Sequence, residues 1–193
     1  AKDGNVTASV KSPRIALGKN YLKDVDLALD NRDSSLNAIA GFSAISVSGL
    51  SLLKDNLMLY AKDNGFGAGF TYDNGTDLAN KGELYLSGNL GREHNGDLTI
   101  HGRTLPSYIW YDDAAWDVTE STIDIIGKDI KVDNLVARCA DQSVKVNGGY
   151  SFTKKDTLSV NLVKFDLGLL NKFLGDSFGI SGLATGHAII SSP

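Results

Sequence analysis

The sequence predicts an all-β protein whose strands stack into one elongated sheet. Three observations lead there. Asn-Gly pairs recur at Asn64-Gly65, Asn74-Gly75, Asn95-Gly96 and Asn147-Gly148, and such pairs tolerate the positive φ that tight hairpin turns require. Between them apolar residues sit two apart with polar residues between, the period of a strand with one dry face and one wet face. A strand unit also repeats: Gly82-Glu83-Leu84-Tyr85-Leu86-Ser87-Gly88 returns 14 residues later as Gly96-Asp97-Leu98-Thr99-Ile100-His101-Gly102. Similar short strands joined by tight turns stack side by side rather than closing into a globule.

In chain order, Gly65, Gly67 and Gly69 come first, with Phe66 and Phe70 interleaved. This reads as a turn feeding a strand where small residues let backbones approach. It is not the dinucleotide fingerprint, and no helix is predicted after it. The alternating sets are Leu84, Leu86; Leu98, Ile100; Ile123, Ile125; Ile130, Val132; Val144, Val146; and Leu158, Val160, Leu162. Thr99, Asp124, Lys131, Lys145, Ser159 and Asn161 fall between them and are expected on the wet face. A shorter apolar-x-apolar-x-Gly form runs from Ile45 to Gly49, Ile123 to Gly127 and Val144 to Gly148. The spacing is not constant, which argues against a strictly regular solenoid. From Phe165 to Leu174 the period changes. Leu167, Leu170, Phe173 and Leu174 lie at helical spacing, which predicts a short amphipathic helix with Asp166 as N-cap and Gly175 as stop.

Composition bounds the function. Apolar residues make up 42% of the 193 and charged residues 22%, enough apolar surface to fold and bury a core. The net charge is -4 and the pI about 5.3. No basic field is present to neutralise phosphates, so nucleic acid is not an expected partner. Cys139 is the only cysteine, so an internal disulfide and a cysteine metal cluster are both excluded. No stretch approaches the roughly 18 apolar residues of a membrane span. The start at Ala1 carries no signal-peptide apolar region, and Ala188 to Pro193 reads as a strand cut short. The expectation is a segment of a longer protein.

Several chemistries were weighed against plainer readings. His94, His101 and His187 lack zinc-ligand spacing, and turn or surface roles are expected. Ser51-x-x-Lys54 and Ser151-x-x-Lys154 match the Ser-x-x-Lys pattern of penicillin-binding proteins, but neither is accompanied by Ser-Asp-Asn or Lys-Thr-Gly. Asp30 to Asp33 and Asp73 to Asp77 offer too few carboxylates for a calcium loop and read as turns. Asp112-Asp113 beside Tyr108, Trp110, Tyr111 and Trp116 is the most enzyme-like patch, since carboxylates flanked by aromatics occur in sugar clefts. Adjacent carboxylates in a strand face opposite ways, however, so aromatic packing at a sheet edge is the competing reading. No cofactor is expected, and the chain does not read as an enzyme.

The C-terminal half carries a family resemblance. Trp116-Asp117-Val118 is followed by Ile123, Ile130-Lys131-Val132-Asp133-Asn134-Leu135, then Gln142-Ser143-Val144-Lys145-Val146-Asn147-Gly148. Asp156-Thr157-Leu158-Ser159-Val160 and Phe165-Asp166-Leu167 lead to Leu170-Asn171 and a closing Ile180-Ser181-Gly182-Leu183-Ala184-Thr185-Gly186. In order and spacing these resemble the TamB family, specifically its Bacteroidetes type within the AsmA-like group, over about residues 80 to 193. Residues 1 to 79 share only the strand style. The resemblance implies a taco-like curled open sheet with an apolar interior and a periplasmic location in a diderm bacterium. It implies a parent held in the inner membrane by an anchor outside this chain, and an outer-membrane barrel partner of the Omp85 class. The implied role is outer-membrane biogenesis through phospholipid transport between the two membranes. The family has no catalytic set to carry over.

A one-faced apolar sheet must hide that face, and acyl chains could cover it. The expected groove lining is therefore Leu84, Leu86, Leu98, Ile100, Ile123, Ile125, Ile130, Val132, Val144, Val146, Leu158, Val160 and Leu162. Leu167, Leu170, Phe173 and Leu174 form a candidate lid over the open end of the core, or a gate that touches lipid. Two other readings stand beside this one. The first is a scaffold or chaperone-like rod that assists outer-membrane protein assembly without carrying lipid. The second is a carbohydrate-binding or adhesive β-helix, which would need Asp, Lys and Arg clustered on one outer face.

Overall fold

The computed structural model of the protein describes residues 4–32, 34–47, 50–75, 81–111, 114–171 and 179–192. The strands are β1 (Thr7–Leu17), β2 (Asn20–Asp30), β3 (Ser35–Val47), β4 (Leu50–Lys62), β5 (Gly65–Asp73), β6 (Lys81–Arg92) and β7 (Leu98–Thr104). They continue as β8 (Ser107–Tyr111), β9 (Ala114–Val118), β10 (Ser121–Ile126), β11 (Asp129–Cys139), β12 (Gln142–Ser151), β13 (Thr157–Asp166) and β14 (Leu183–Ser191). All belong to one antiparallel sheet in the order β1-β2-β3-β4-β5-β6-β7-β10-β11-β12-β13-β14. The all-β, open-sheet expectation holds. Antiparallel pairing between sequence neighbours, broken only around β8 and β9, makes a meander and not the parallel coil of a β-helix.

The hairpin β8–β9 stands off that path, with β8 on β6 and β9 on β11. Its register explains why. Ser107 faces Val118 and Thr104 faces Ser121, so β7–β8 and β9–β10 are the two arms of one long hairpin, interrupted once. Pro106 lies at the interruption and brings no N–H to the ladder. Side-chain hydroxyls replace the missing rungs. The Ser121 amide donates to Thr104 Oγ1 at 2.8 Å, Thr104 Oγ1 donates to the Thr119 carbonyl at 3.1 Å, and the Tyr85 amide donates to Ser107 Oγ at 2.9 Å.

The Asn-Gly pairs divide. Asn95-Gly96 is a turn with Gly96 at φ 90, and Asn74-Gly75 follows β5 with Gly75 at φ 76. At Asn64-Gly65 the glycine already pairs with Lys62, so Asp63-Asn64 is the two-residue loop. Asn147-Gly148 is not a turn. It lies inside β12, where Gly148 takes φ 111 opposite a register shift in β11 between Val132 and Leu135. Asn147 Oδ1 accepts the Asn134 amide there at 3.0 Å, a β-bulge held by a side chain. The sequence repeat has a direct structural meaning: Gly88 and Gly102 face each other across β6 and β7. A Cβ on Gly88 would stand 2.2 Å from the His101 carbonyl oxygen.

Where a helix was predicted after Phe165, the described residues form a single 3-10 turn, Leu167–Leu170. Asp166 does cap it, its side chain accepting the Gly168 amide at 2.8 Å. Phe173, Leu174 and Gly175 lie outside the described residues. Among the described residues no helix is long and apolar enough to cross a membrane.

Candidate functional site

In an antiparallel ladder, directly opposed residues share a face. Following that rule across the sheet places every expected lining residue on the same side. Leu90 of β6 faces Ile100, which faces Ile125, which faces Ile130. Gly88, Gly102, Ile123, Val132, Gly148 and Leu158 form the next row. Val146 opposes Val160 and Val144 opposes Leu162. Leu86 shares that side with Gly88, two residues on, and Leu84 with Leu86; Leu98 opposes Arg92.

The face dips into an apolar groove of about 480 Å³ bordered by Leu57, Phe70, Leu84, Leu86, Ile109, Val118, Ile123, Leu135 and Ala137. The volume lies within the range of small-ligand sites. Its borders include residues that sequence reasoning missed. Leu57 and Phe70 oppose each other, and Phe70 opposes Leu84, so the N-terminal strands continue the groove. The alternation Phe66-Ala68-Phe70 between glycines was the available signal. Leu135 and Ala137 were missed because Asn134, at φ 57, shifts the phase of β11. Extrapolating from Val132 would have put Asn134 and Val136 inside; Val136 is instead buried on the other side of the strand, at 5% exposure.

The wet-face expectation fails at one residue. Thr99 is 5% exposed, whereas Leu98 on the lining face is 47% exposed. Thr99 faces Gly91 across β6 and β7, and a Cβ there would stand 2.6 Å from Thr99 Oγ1. The threonine occupies room that the glycine leaves. Lys131 and Lys145 are exposed as expected.

One end of the face is packed shut. Trp116 and Tyr72 are buried, and the Trp116 ring lies against Phe165 with centroids 5.9 Å apart. The candidate lid begins here: the Tyr111 hydroxyl donates to the Leu169 carbonyl at 3.4 Å, inside the turn that holds Leu167 and Leu170. Asp55, two residues before Leu57, is 1% exposed, and neither carboxylate oxygen has a hydrogen-bond partner among the described residues. Burial pushes its carboxyl up to about 6, and the nearby Ile45 and Asp55 amides, which fall short of hydrogen-bond geometry, offset only part of that rise. Burial and the nearby Asp55 charge together push the Tyr72 hydroxyl up to about 12.

The aromatic patch weighed as a sugar cleft is split by strand alternation. Ile109 opposes Trp116, which puts Trp116 on the lining face, while Tyr108 opposes Asp117 and Trp110 opposes Ala115 on the other. Tyr108 and Tyr85 both donate to Glu83, at 3.3 and 2.8 Å, and Lys81 lies 5.2 Å from the Trp110 ring centroid. Asp112 and Asp113 lie outside the described residues.

The Ser151-x-x-Lys154 pair is structural. Ser151 is fully buried; its hydroxyl donates to Asp129 at 2.5 Å and accepts the amides of Thr153 and Lys154 at 3.0 and 2.9 Å. Asp129 also binds the Lys154 ammonium at 2.6 Å, which holds that amine above its ordinary value and unsuited to act as a base. His101 Nδ1 meets Asp124 at 2.9 Å, and His187 Nε2 meets Ser159 Oγ at 3.2 Å. Among the described residues no cluster could hold a metal ion.

The chain matches no family model, no curated protein and no solved structure.

Proposed function

We propose that this chain is a segment of a TamB/AsmA-like periplasmic protein that holds acyl chains in its apolar groove and serves phospholipid movement between inner and outer membranes. The observation that carries the reading is the groove. Apolar residues from β4 to β13 share one face, and on that face a depression stays open instead of being filled by side chains. The open depression favours a conduit over a purely structural rod, whose inward side chains would pack against each other. Each methylene laid there removes apolar surface from water, worth about 0.8 kcal/mol. A two-tailed lipid with about 30 methylenes therefore has ample driving force to leave a bilayer transiently. The polar residues on the opposite face keep such a sheet wetted. The partners in this reading are phospholipid, an Omp85-class barrel, and an inner-membrane anchor carried elsewhere in the parent.

The test is photocrosslinking of the purified chain incubated with phospholipid vesicles. A photoreactive residue replaces Leu86 in one preparation and Lys131, on the opposite face, in another. Lipid adducts at position 86 and not at 131 are expected. Absence of lipid at 86, or equal labelling at both, removes the conduit reading.

A further inference from the structure

The opposite face has a depression of its own, about 640 Å³, over β4 to β10. Lys62, Gly65, Asn89, His101 and Asp124 stand in one directly opposed row across it. The row crosses four inter-strand steps, about 19 Å. The neighbouring row brings Tyr60, Gly67, Ser87 and Arg103 alongside. Glycine makes the hollow: a Cβ at Gly67 would meet nothing within 4 Å.

The lining carries two cations, Lys62 and Arg103, one carboxylate, Asp124, and several hydrogen-bonding groups. Lys62 has no ion-pair partner among the described residues. Arg103 reaches Glu120 through Nη1 at 3.0 Å, with its side chain 56% exposed, and its remaining N–H groups are directed by a planar fork suited to carboxylates. His101 Nδ1 and Asp124 are hydrogen-bonded at 2.9 Å, which leaves the ring's Nε2 to meet a hydroxyl. Asn89 offers an amide donor and acceptor, and the Tyr60 ring is 47% exposed at the margin. These strands bring together the cluster of Lys, Arg and Asp that a glycan site needs and that residues far apart in sequence do not reveal.

We propose that this cleft binds an acidic carbohydrate chain of the uronate class. Lys62 and Arg103 meet the sugar carboxylates, Asn89 and the His101–Asp124 pair meet ring hydroxyls, and Tyr60 presents an apolar face to a sugar ring. Gly65 and Gly67 leave the floor of the depression without side chains, so a chain can lie along the row between Lys62 and Arg103. The proposal is independent of the lipid reading, since it concerns the other side of the sheet.

The test is titration calorimetry of the purified chain at low ionic strength with an oligogalacturonate and, separately, a neutral oligoglucan. Saturable binding of the acidic oligomer alone is expected. Lys62→Ala and Gly67→Tyr, which fills the hollow, should each weaken it at least tenfold, while Lys145→Ala on the same face but outside the cleft leaves it unchanged. Circular dichroism checks folding; if Gly67→Tyr does not fold, Asn89→Ala replaces it with the same expectation. No saturable binding overturns the proposal. So does binding that survives both cleft substitutions, equal affinity for the neutral oligomer, or capture of anionic phospholipid vesicles through Lys62 in place of the oligomer.

Discussion

The lining face has two regions built from the same alternation that behave differently. Around Leu57, Leu84, Leu86 and Ile123 it is an open groove. Around Tyr72, Trp116, Phe165 and Asp55 it is a closed core. Period two sets which side chains face inward, but side-chain size and local backbone breaks decide whether they meet. In the groove, aliphatic side chains and the small Ala68 and Ala137 leave the middle hollow. At the closed end, large rings and the 3-10 turn at Leu167–Leu170 fill it. One sheet can thus be stabilised at one end and left open for a ligand at the other.

Cutting into the closed end is the most damaging way to break this contrast. Trp116→Ala should lower stability by about 3–5 kcal/mol, as aromatic-to-alanine changes in cores do, read as a lower midpoint in urea. An unaltered midpoint would mean that the closed end is not a core.

Asp55 sharpens the contrast through pH. Its folded carboxyl titrates near 6, above the ordinary 3.8, so the folded state binds more protons between those values. Stability then falls as pH rises from about 4 and the loss is complete above about 6. A displacement of about two pKa units corresponds to about 3 kcal/mol. Urea midpoints should be higher at pH 4.5 than at pH 7.5, and Asp55→Asn should flatten that dependence. A wild-type curve as flat as the variant's would show that the carboxylate is solvated.

Glycine separates the two roles more finely. A Cβ at Gly88 meets backbone at 2.2 Å, while one at Gly67 meets open space. Gly88→Ala should cost about 1–3 kcal/mol through forced backbone movement. Gly67→Ala should be neutral or slightly stabilising, because alanine has fewer unfolded conformations to lose. Thermal unfolding of the two variants reads the difference directly.

A smaller stability effect than at the closed end belongs to the groove. Leu86 is half-buried there, so Leu86→Asp should cost about 1–2 kcal/mol and yet abolish lipid labelling when the photoreactive residue stands at Ile123 in the same groove. A large loss of stability would place Leu86 in a filled core and favour the scaffold reading.

Much of this was legible in the sequence. Leu84 to Leu162 alternate, and every residue named from that alternation lies on one face, because the side-chain period of a strand is fixed by its backbone. The cap at Asp166 was legible for a similar reason, since the interaction spans only two residues. The bulge at Asn134 was not, nor was the one in β13, where Lys164 takes φ 45 and the register with β14 shifts between Leu162 and Phe165. Each changes phase by one residue, and nothing in the polar residues there distinguishes a bulge from a wet position. Asn147-Gly148 looked like a turn because the same positive φ serves both turns and bulges.

By itself, then, the sequence determined strand period, the apolar identity of one face, and the antiparallel meander that short loops enforce. These follow from local geometry and loop length. Tertiary structure alone decided that Leu57 and Phe70 join Leu84, that Thr99 is buried beneath a missing Gly91 side chain, and that Asp55 is sealed beside Tyr72. It also decided that Lys62, Asn89, His101 and Asp124 form one row. Each depends on register between strands distant in sequence, and register is set by the whole sheet pairing at once.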